Sequence, residues 1–382
     1  MVQRRRIIVA LAAITALVGI LYYSPPAPVL ANTLPVRLDD REFWHLVTDF
    51  SEPNGYFRSD NFLSNERAYQ RVIPALTARL QPGGVYLGVG PEQNFTYIAA
   101  IRPKLAFIVD IRRGNLDEHL LYKAFIEMSA DRADFLSRLF ARPKPTGLGT
   151  TPSVDALMAA FEAAEPSQAL FDENLQAATD WLQHHHGFAL TDDDVRGLEY
   201  VYRAFFESGP GLNYSFLPGG GFGRGMNFPT YAELMTATDE QGDRRSYLAS
   251  EDNFRILSEL ESNNAIIPIV GNFAGPKALR AVASYLRDHH ATVSAMYTSN
   301  VEMYLFQQVD DWKQFYGSVA TLPVNGASTF IRSVSNRGRQ FRTPNTVPGA
   351  LASTRLCSIA DLVNAYRAGS IGGYNDVIAM SK

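Results

Sequence analysis

Two short, uninterrupted apolar runs separated by a helical pattern set the strongest constraint on the fold of this 382-residue chain. The first run, VYLGVG, ends in Gly88 and Gly90, and the second, LAFIVD, ends in Asp110. A strand that is apolar at every position is buried on both faces, which is typical of a parallel sheet covered by helices. The alternation resumes with AIIPIVGNF and ATVSAMYTSN, each followed by a helical pattern. The sequence therefore predicts an α/β protein with a three-layer, doubly wound, mostly parallel sheet.

A helical insertion interrupts the predicted core. Each half of the core alone leaves parallel strands without neighbours, so we expect both halves to form one continuous sheet. The insertion ends in the Gly-rich stretch Gly209–Pro229, which we expect to be a mobile loop near the carboxyl end of the sheet. Two short runs around Asn325 and Gly326 predict a β-hairpin that closes the sheet. The predicted segments are a leader (1–31), a Pro-rich tether and helical cap (32–82), the core (83–140 and 262–335), the insertion (141–261) and a C-terminal extension (336–382).

The first 31 residues are typical of an export signal. Arg4, Arg5 and Arg6 precede an uncharged apolar run at 7–23, and small residues follow up to Ala31, where a signal peptide would be cut. The run is also at the lower limit of length for a membrane helix, so retention as a signal anchor stays open. Either form inserts into the membrane and places the globular part outside the cytoplasmic membrane. The alternative is a cytoplasmic protein with an apolar leader.

Charge, cysteine and histidine content argue against several partners. The net charge of −4, without a long basic block, leaves no electrostatic footprint for nucleic acid. Cys357 is the single cysteine, which excludes a disulfide within the monomer and thiol-ligated metal clusters. His184, His185 and His186 are consecutive, and neighbouring helix residues point about 100° apart, so the three do not converge on one ion. We expect no metal.

The turn after the first strand is a candidate ligand cradle. Gly88 and Gly90 let the backbone approach a ligand, and the following helix offers free N–H groups. Asp110 lies 20 residues beyond Gly90, close to the spacing of a carboxylate that binds ribose in nucleotide-binding folds. Gln93 replaces the third glycine of a dinucleotide fingerprint, which disfavours NAD. The alternative is that the glycines serve tight packing and that Asp110 caps the next helix.

These residues and the strand–helix alternation resemble the class I S-adenosylmethionine-dependent methyltransferases, over about residues 83–140 and 262–335. The resemblance implies a sheet that ends in an antiparallel pair. It also implies that Gly88 and Gly90 contact the amino-acid part of S-adenosylmethionine and that Asp110 binds its ribose hydroxyls. Most of the chain after the leader is similar to a group of uncharacterised bacterial proteins that share GVGPEQNFTYI and FIVDIRRGN. The candidate cofactor-binding residues are Gly88, Gly90, Glu92, Asn94, Asp110 and Arg112.

Polar residues at three other places are candidates for the substrate side of the cleft. The segment Ser59–Glu66 either folds over a ligand or begins a capped helix with solvated polar residues. Asn272 follows the strand AIIPIV, at a strand end that faces the reacting methyl group in the methyltransferases that the chain resembles. The strand ATVSAMYTS ends in hydroxyl groups, at the sheet edge where open α/β folds bind ligands. The substrate candidates are Asn61, Asn272, Tyr297, Ser299 and Asn300.

Two hypotheses about function follow, and no catalytic residue is assigned under either. The first is methyl transfer from S-adenosylmethionine, which depends largely on positioning and needs no obligatory base. The second is an exported or membrane-anchored, non-enzymatic binding or scaffold module that keeps the fold without the cofactor, because a fold alone does not define an activity. The leader favours the second, since S-adenosylmethionine is made in the cytoplasm.

Overall fold

The computed structural model of the protein describes residues 32–214, 228–335 and 352–381. The predicted leader lies outside these ranges, and so do residues 215–227, which make up most of the predicted Gly-rich loop. Leu34–Lys382 forms one unit. In the described ranges, no helix is both long enough and apolar enough to cross a membrane.

A single mixed sheet is formed by six strands. They are β1 (Val85–Gly88), β2 (Leu105–Asp110), β3 (Ile266–Val270), β4 (Val293–Ser299), β5 (Thr329–Ser335) and β6 (Ala352–Ser358). Their order is β3-β2-β1-β4-β5-β6, and all neighbours run parallel except β5 and β6, which are antiparallel. Every residue of β1, β2 and β3 is buried, as continuous apolar strands require. The predicted α/β class with a mostly parallel sheet is confirmed, and one sheet joins both halves of the core.

Helices pack against this sheet and build the insertion. They are α1 (Asp40–Phe50), α2 (Ile73–Arg79), α3 (Gln93–Ile101), α4 (Arg113–Glu127), α5 (Arg132–Phe140), α6 (Val154–Ala163), α7 (Gln168–Asp180), α8 (Asp192–Ser208), α9 (Tyr231–Thr236), α10 (Glu251–Ser262), α11 (Ala278–Asp288), α12 (Val301–Leu305), α13 (Asp311–Val319), α14 (Ile359–Arg367) and α15 (Tyr374–Ala379). A π-helical turn at Trp181–His185 continues α7. α1 and α4 pack against β3, and α11 packs against β2.

The insertion separates two strands that are neighbours in the sheet. The chain leaves the sheet at the end of β2, runs through α4 to α10, and returns at β3, which pairs with β2. Within the described part of 141–261, β structure is limited to two isolated bridges, Asn213 with Thr230 and Thr238 with Arg244. The third strand of the sheet is therefore AIIPIV, which lies far from β2 in sequence.

The predicted hairpin around Asn325 and Gly326 is wrong. The side chain of Asn325 accepts hydrogen bonds from the backbone N–H groups of Ala327 and Ser328 at 2.9 and 3.2 Å, so this segment is a local turn that leads into β5. The residues between α13 and this turn form no strand. The antiparallel partner of β5 is β6, which lies in the segment predicted as a C-terminal extension.

Candidate functional site

A cavity of about 380 Å³ opens at the carboxyl ends of β1, β2, β3 and β4. β2 and β3 lie on one side of β1 and β4 lies on the other, so the strand order reverses at β1. Open α/β sheets bind ligands at such a reversal, outside the carboxyl ends of the strands. The predicted residues that line this cavity are Asn61, Gly90, Asp110, Arg112, Asn272, Tyr297, Ser299 and Asn300.

The turn between β1 and α3 is braced by the fully buried side chain of Asn94. Its Oδ1 accepts a hydrogen bond from the Tyr86 hydroxyl at 2.7 Å. Its Nδ2 lies 2.7–3.0 Å from the backbone oxygens of three consecutive residues, 89–91. Asn94, predicted to bind the cofactor, therefore shapes the turn from behind the cavity wall.

The two glycines of the turn have different roles. A Cβ at Gly88 would collide with Asn94 Oδ1, so Gly88 makes room for the brace and is not among the residues that line the cavity. Gly90 lines the cavity and has φ of 79°, in the left-handed region that favours glycine. Gly90 alone is thus placed to let a ligand approach the backbone.

Gln93 and His119 also contribute to this turn. Gln93 lines the cavity and donates from Nε2 to the Val89 oxygen at 3.1 Å, and its buried Oε1 has no hydrogen-bond partner among the described residues. His119 Nε2 lies 2.9 Å from the Gly90 oxygen and must donate, because a carbonyl oxygen only accepts. Burial lowers the pKa of His119 to about 4, so the ring is neutral near pH 7.

Two carboxyl groups lie buried behind the turn. Glu92, predicted to bind the cofactor, is fully buried outside the cavity lining, and neither carboxyl oxygen has a partner of ordinary hydrogen-bond geometry in the part of the chain that the structure describes. Burial raises the pKa of Glu92 to about 8, although the nearby backbone N–H groups of Glu92 and Ser64 act in the opposite direction. Burial and the neighbouring Glu92 raise the pKa of Glu118 well above its ordinary value. These acids are therefore candidates to hold protons rather than to bind ribose.

Asp110 is the carboxylate at the end of β2, and Arg112 holds it from two directions. Arg112 Nε lies 3.0 Å from Oδ1 and Nη2 lies 3.1 Å from Oδ2, and the backbone N–H of Arg112 donates to Oδ1 at 2.9 Å. Both side chains are nearly buried, with 11% and 7% exposure for Arg112 and Asp110. Oδ2 accepts a single hydrogen bond from the described residues, so it keeps room for a second donor from the cavity.

Residues 51–66, here called the edge segment, cross the carboxyl edge of the sheet. At β3, Ser51 Oγ accepts from the Val270 N–H at 3.0 Å, and the Glu52 N–H donates to the Val270 oxygen at 2.8 Å. Beyond the end of β2, the Gly55 N–H donates to the Ile111 oxygen at 2.8 Å. The segment therefore follows the strand order from β3 toward β1.

The edge segment continues over the cavity to β4. Arg112 Nη1 donates to the backbone oxygen of Asp60, and this hydrogen bond joins the edge segment to the ion pair of Arg112 with Asp110. Asn61 lines the cavity with φ of 52°, and its buried Oδ1 has no hydrogen-bond partner within residues 32–214, 228–335 and 352–381. The alternative of a capped helix start within 59–66 does not describe the structure, since the first helical turn begins at Tyr69, and the folding of this segment over a ligand stays a prediction.

Glu66, the last residue of the edge segment, meets the end of β4. Its Oε1 accepts hydrogen bonds from the Tyr297 hydroxyl and from Ser299 Oγ, each at 2.6 Å. Burial raises the pKa of Glu66 above its ordinary value, against the hydrogen bonds from Ser299, Tyr297 and Ser333, which lower it. Sequence reasoning missed the pairing, because 231 residues separate Glu66 from Tyr297.

Asn272 lies at the β3 end of the cavity. The resemblance implied a position facing the reacting methyl group, but β3 lies beyond β2, and the strand on the other side of β1 ends instead in Ser299. Asn272 Oδ1 accepts from the Ala274 N–H at 2.9 Å, and its own backbone N–H donates to Glu52 Oε2 at 3.0 Å. This side chain therefore shapes a turn as well as lining the cavity.

Other polar features lie away from the strand ends. A surface cavity of about 630 Å³, lined within 129–152 and 251–258, carries none of the predicted site residues. His186 bridges two carboxylates, with Nδ1 2.7 Å from Asp40 Oδ1 and Nε2 2.6 Å from Glu127 Oε2. In the part of the chain that the structure describes, no group of three or more His, Cys, Asp or Glu side chains could hold a metal ion.

The fold and the cavity define an α/β protein with a candidate ligand-binding cleft at its sheet edge. A family model described as "Domain of unknown function (DUF7790)" matches residues 61–146 and 152–361. The match covers well over half of the chain, so the protein belongs to this family. A search of curated proteins found no match. The matched ranges include all six strands and the cavity residues from Asn61 to Asp311.

Proposed function

We propose that the cleft binds S-adenosylmethionine and that the protein is a methyltransferase-like enzyme. The observation that carries the proposal is the joint placement of Gly90 and Asp110 on one cavity, at the carboxyl ends of β1 and β2, where the strand order reverses. An arrangement of parallel strands followed by an antiparallel last pair is what the methyltransferase resemblance implies, and it supports the proposal.

The size and lining of the cavity fit a nucleoside with a charged tail. Its volume of about 380 Å³ lies within the roughly 300–1,000 Å³ of ordinary ligand pockets. Tyr56, Phe57, Phe273 and Tyr304 supply aromatic surfaces for an adenine ring, and ring faces also attract a sulfonium cation. The buried acceptors Gln93 Oε1 and Asn61 Oδ1 have no partner in the described structure, so they can accept from ligand N–H groups.

Asp110 holds the ribose in this proposal, together with its partner Arg112. The free acceptor site on Oδ2 takes one ribose hydroxyl, while the guanidinium holds the carboxylate in a fixed orientation. Because Arg112 also donates to the Asp60 oxygen, ligand contact at Asp110 is coupled to the position of the edge segment.

Titration calorimetry of the purified chain with S-adenosylmethionine and with S-adenosylhomocysteine tests the proposal. We expect binding of both, and Asp110→Asn should weaken it tenfold or more, because charge-assisted hydrogen bonds contribute roughly 1.5–3 kcal/mol each. Asp193→Asn, at an exposed position on α8, should bind as the wild type does. Near-ultraviolet circular dichroism must show each variant folded, since Asp110→Asn leaves Arg112 buried without its counter-charge. A folded wild type that binds neither compound refutes the proposal.

The second candidate function is an exported or membrane-anchored binding or scaffold module without the cofactor. One observation favours it: the Asp110 carboxylate already accepts three hydrogen bonds from Arg112, so it is paired within the protein without a ribose. Under this candidate the cleft is retained as a rigid surface, and neither adenosyl compound gives heat in the calorimeter.

A further inference from the structure

Ser299 occupies a strained position on the wall of the cavity. It is the last residue of β4, α12 begins two residues later, and its φ is 48°. A left-handed conformation costs a non-glycine residue roughly 1–2 kcal/mol, so the surrounding contacts must hold Ser299 there. Such strain clusters at functional sites, and a sharp strand-to-helix turn is a known way to expose a nucleophilic serine.

The hydroxyl of Ser299 is hydrogen-bonded to a buried carboxylate. Ser299 Oγ donates to Glu66 Oε1 at 2.6 Å, a length typical of a hydroxyl bonded to an ionised oxygen. The Tyr297 hydroxyl holds the same oxygen at 2.6 Å. Glu66 is 4% exposed, and its Oε2 has no partner of ordinary hydrogen-bond geometry among the described residues, although the Ser333 hydroxyl lies near enough to lower its pKa. Glu66 is therefore fixed in place and has capacity to accept a proton.

The groups around Glu66 do not compete for that proton near neutral pH. Burial raises the pKa of Tyr86, Tyr97 and Tyr297 well above 10, so these phenols stay neutral. Burial likewise raises the pKa of Tyr374, which also interacts electrostatically with Glu66. Glu66 is thus the carboxyl group of this cluster, and burial raises its pKa above the ordinary glutamate value.

We propose that Ser299 is an activated nucleophile toward small esters that have an apolar or aromatic part, with Glu66 as its general base. The apolar part packs on the aromatic wall of the cavity near Tyr304, and Asn300 lines the same cavity without capping α12, so its amide can donate to the ester carbonyl oxygen. This inference uses the cavity but not the adenosyl ligand, and it goes beyond methyl transfer.

The chemical step balances without a cofactor. Ser299 Oγ forms a bond to the carbonyl carbon while its proton moves to Glu66. The bond from carbon to the leaving oxygen then breaks, and that oxygen keeps the electron pair and takes the proton from Glu66. Water repeats the sequence on the acyl-serine, which releases the acid and restores both side chains.

Labelling with an alkyl fluorophosphonate tests the proposal, because this probe captures activated serines without any knowledge of the substrate. We expect one adduct per folded chain, located at Ser299 by peptide mass mapping, and none in Ser299→Ala. Glu66→Gln should slow labelling by about 10²–10⁴-fold, the usual contribution of a general base. Ser294→Ala is the matched control on the same strand, at a half-buried position away from the cavity, and should label at the wild-type rate.

The pH profile separates a catalytic role of Glu66 from a structural one. The wild-type labelling rate should rise with pH through a single ionisation that lies above the ordinary glutamate pKa, since the base must lose its proton to act. The Glu66→Gln profile should lack this limb. No adduct at Ser299 in the folded wild type, or equal rates and profiles for wild type and Glu66→Gln, would overturn the proposal. Adenosyl binding is measured separately, so the failure of either proposal leaves the other standing.

Discussion

Replacing Glu92 by Gln should make the stability of the protein less sensitive to pH. Glu92 is fully buried, and its pKa rises from 4.5 to about 8 in the folded chain. Between these two values the folded state keeps a proton that the unfolded state has released, so the contribution of this group to stability falls as pH rises. Glutamine does not titrate and therefore removes this loss.

The size of the effect follows from the proton count. One proton bound in the folded state alone changes the free energy of unfolding by about 1.4 kcal/mol per pH unit. From pH 5 to pH 7.5, Glu92→Gln should therefore gain about 3 kcal/mol relative to wild type. At pH 5 the folded state of both proteins is uncharged at this position, so the difference there reports mainly the Glu-to-Gln exchange, plus about 1 kcal/mol from the glutamate that is already ionised in the unfolded wild type.

Urea unfolding followed by tryptophan fluorescence, repeated at half-unit steps from pH 5 to 8, measures the gap in free energy of unfolding between Glu92→Gln and wild type. Glu207→Gln, the same substitution at an exposed position on α8, is the matched control. A constant gap for Glu92→Gln would refute the reasoning. It would mean that Glu92 is ionised at neutral pH, as expected for a carboxylate that faces the ligand rather than the protein interior.

Three further predictions test the brace, the core and the compartment. Asn94→Ala should lower the free energy of unfolding by roughly 2–4 kcal/mol, because the Tyr86 hydroxyl and the backbone oxygens of the turn lose their hydrogen-bond partner. Gly88→Ala should destabilise the Asn94→Ala protein less than it destabilises the wild type, and urea unfolding of the double-mutant cycle measures both effects. Glu302→Gln should cost about 3–5 kcal/mol in the same assay, because it leaves Arg332 buried without its counter-charge, while Glu259→Gln, from an exposed pair, should change little. Alkaline phosphatase fused after Lys382 should be active, because this reporter works outside the cytoplasmic membrane. An inactive phosphatase fusion, together with an active fusion to a reporter that works only in the cytoplasm, would contradict export.

The sequence pattern predicted the sheet and the location of the cleft for a local reason. A strand that is apolar throughout, as β1 and β2 are, has few alternatives to a buried parallel strand. The carboxyl ends of such strands share one edge, so Gly90, Asp110 and Ser299 could be expected near each other without knowledge of the packing. The third strand, AIIPIV, was predicted as a strand, but the long insertion hid its pairing with β2.

The details that sequence reasoning missed depend on contacts between distant parts of the chain. Arg112 was a candidate ligand contact, yet its ion pair with Asp110 follows from the burial of both side chains at the end of β2. Glu66 meets Ser299 only because the edge segment crosses the whole sheet edge. The hairpin prediction failed because an Asn-Gly turn is a local signal, whereas the antiparallel partner of β5 comes after residue 351.

A crystal structure of the chain with S-adenosylhomocysteine tests the central claim most directly. We predict ligand density in the 380 Å³ cavity at the ends of β1, β2 and β4, with a ribose hydroxyl at hydrogen-bond distance from Asp110 Oδ2 and the amino-acid part beside Gly90. Arg112 should keep its contact with Asp110 in this complex. An empty cavity at saturating ligand, or a ligand bound with its ribose away from Asp110, would contradict the account.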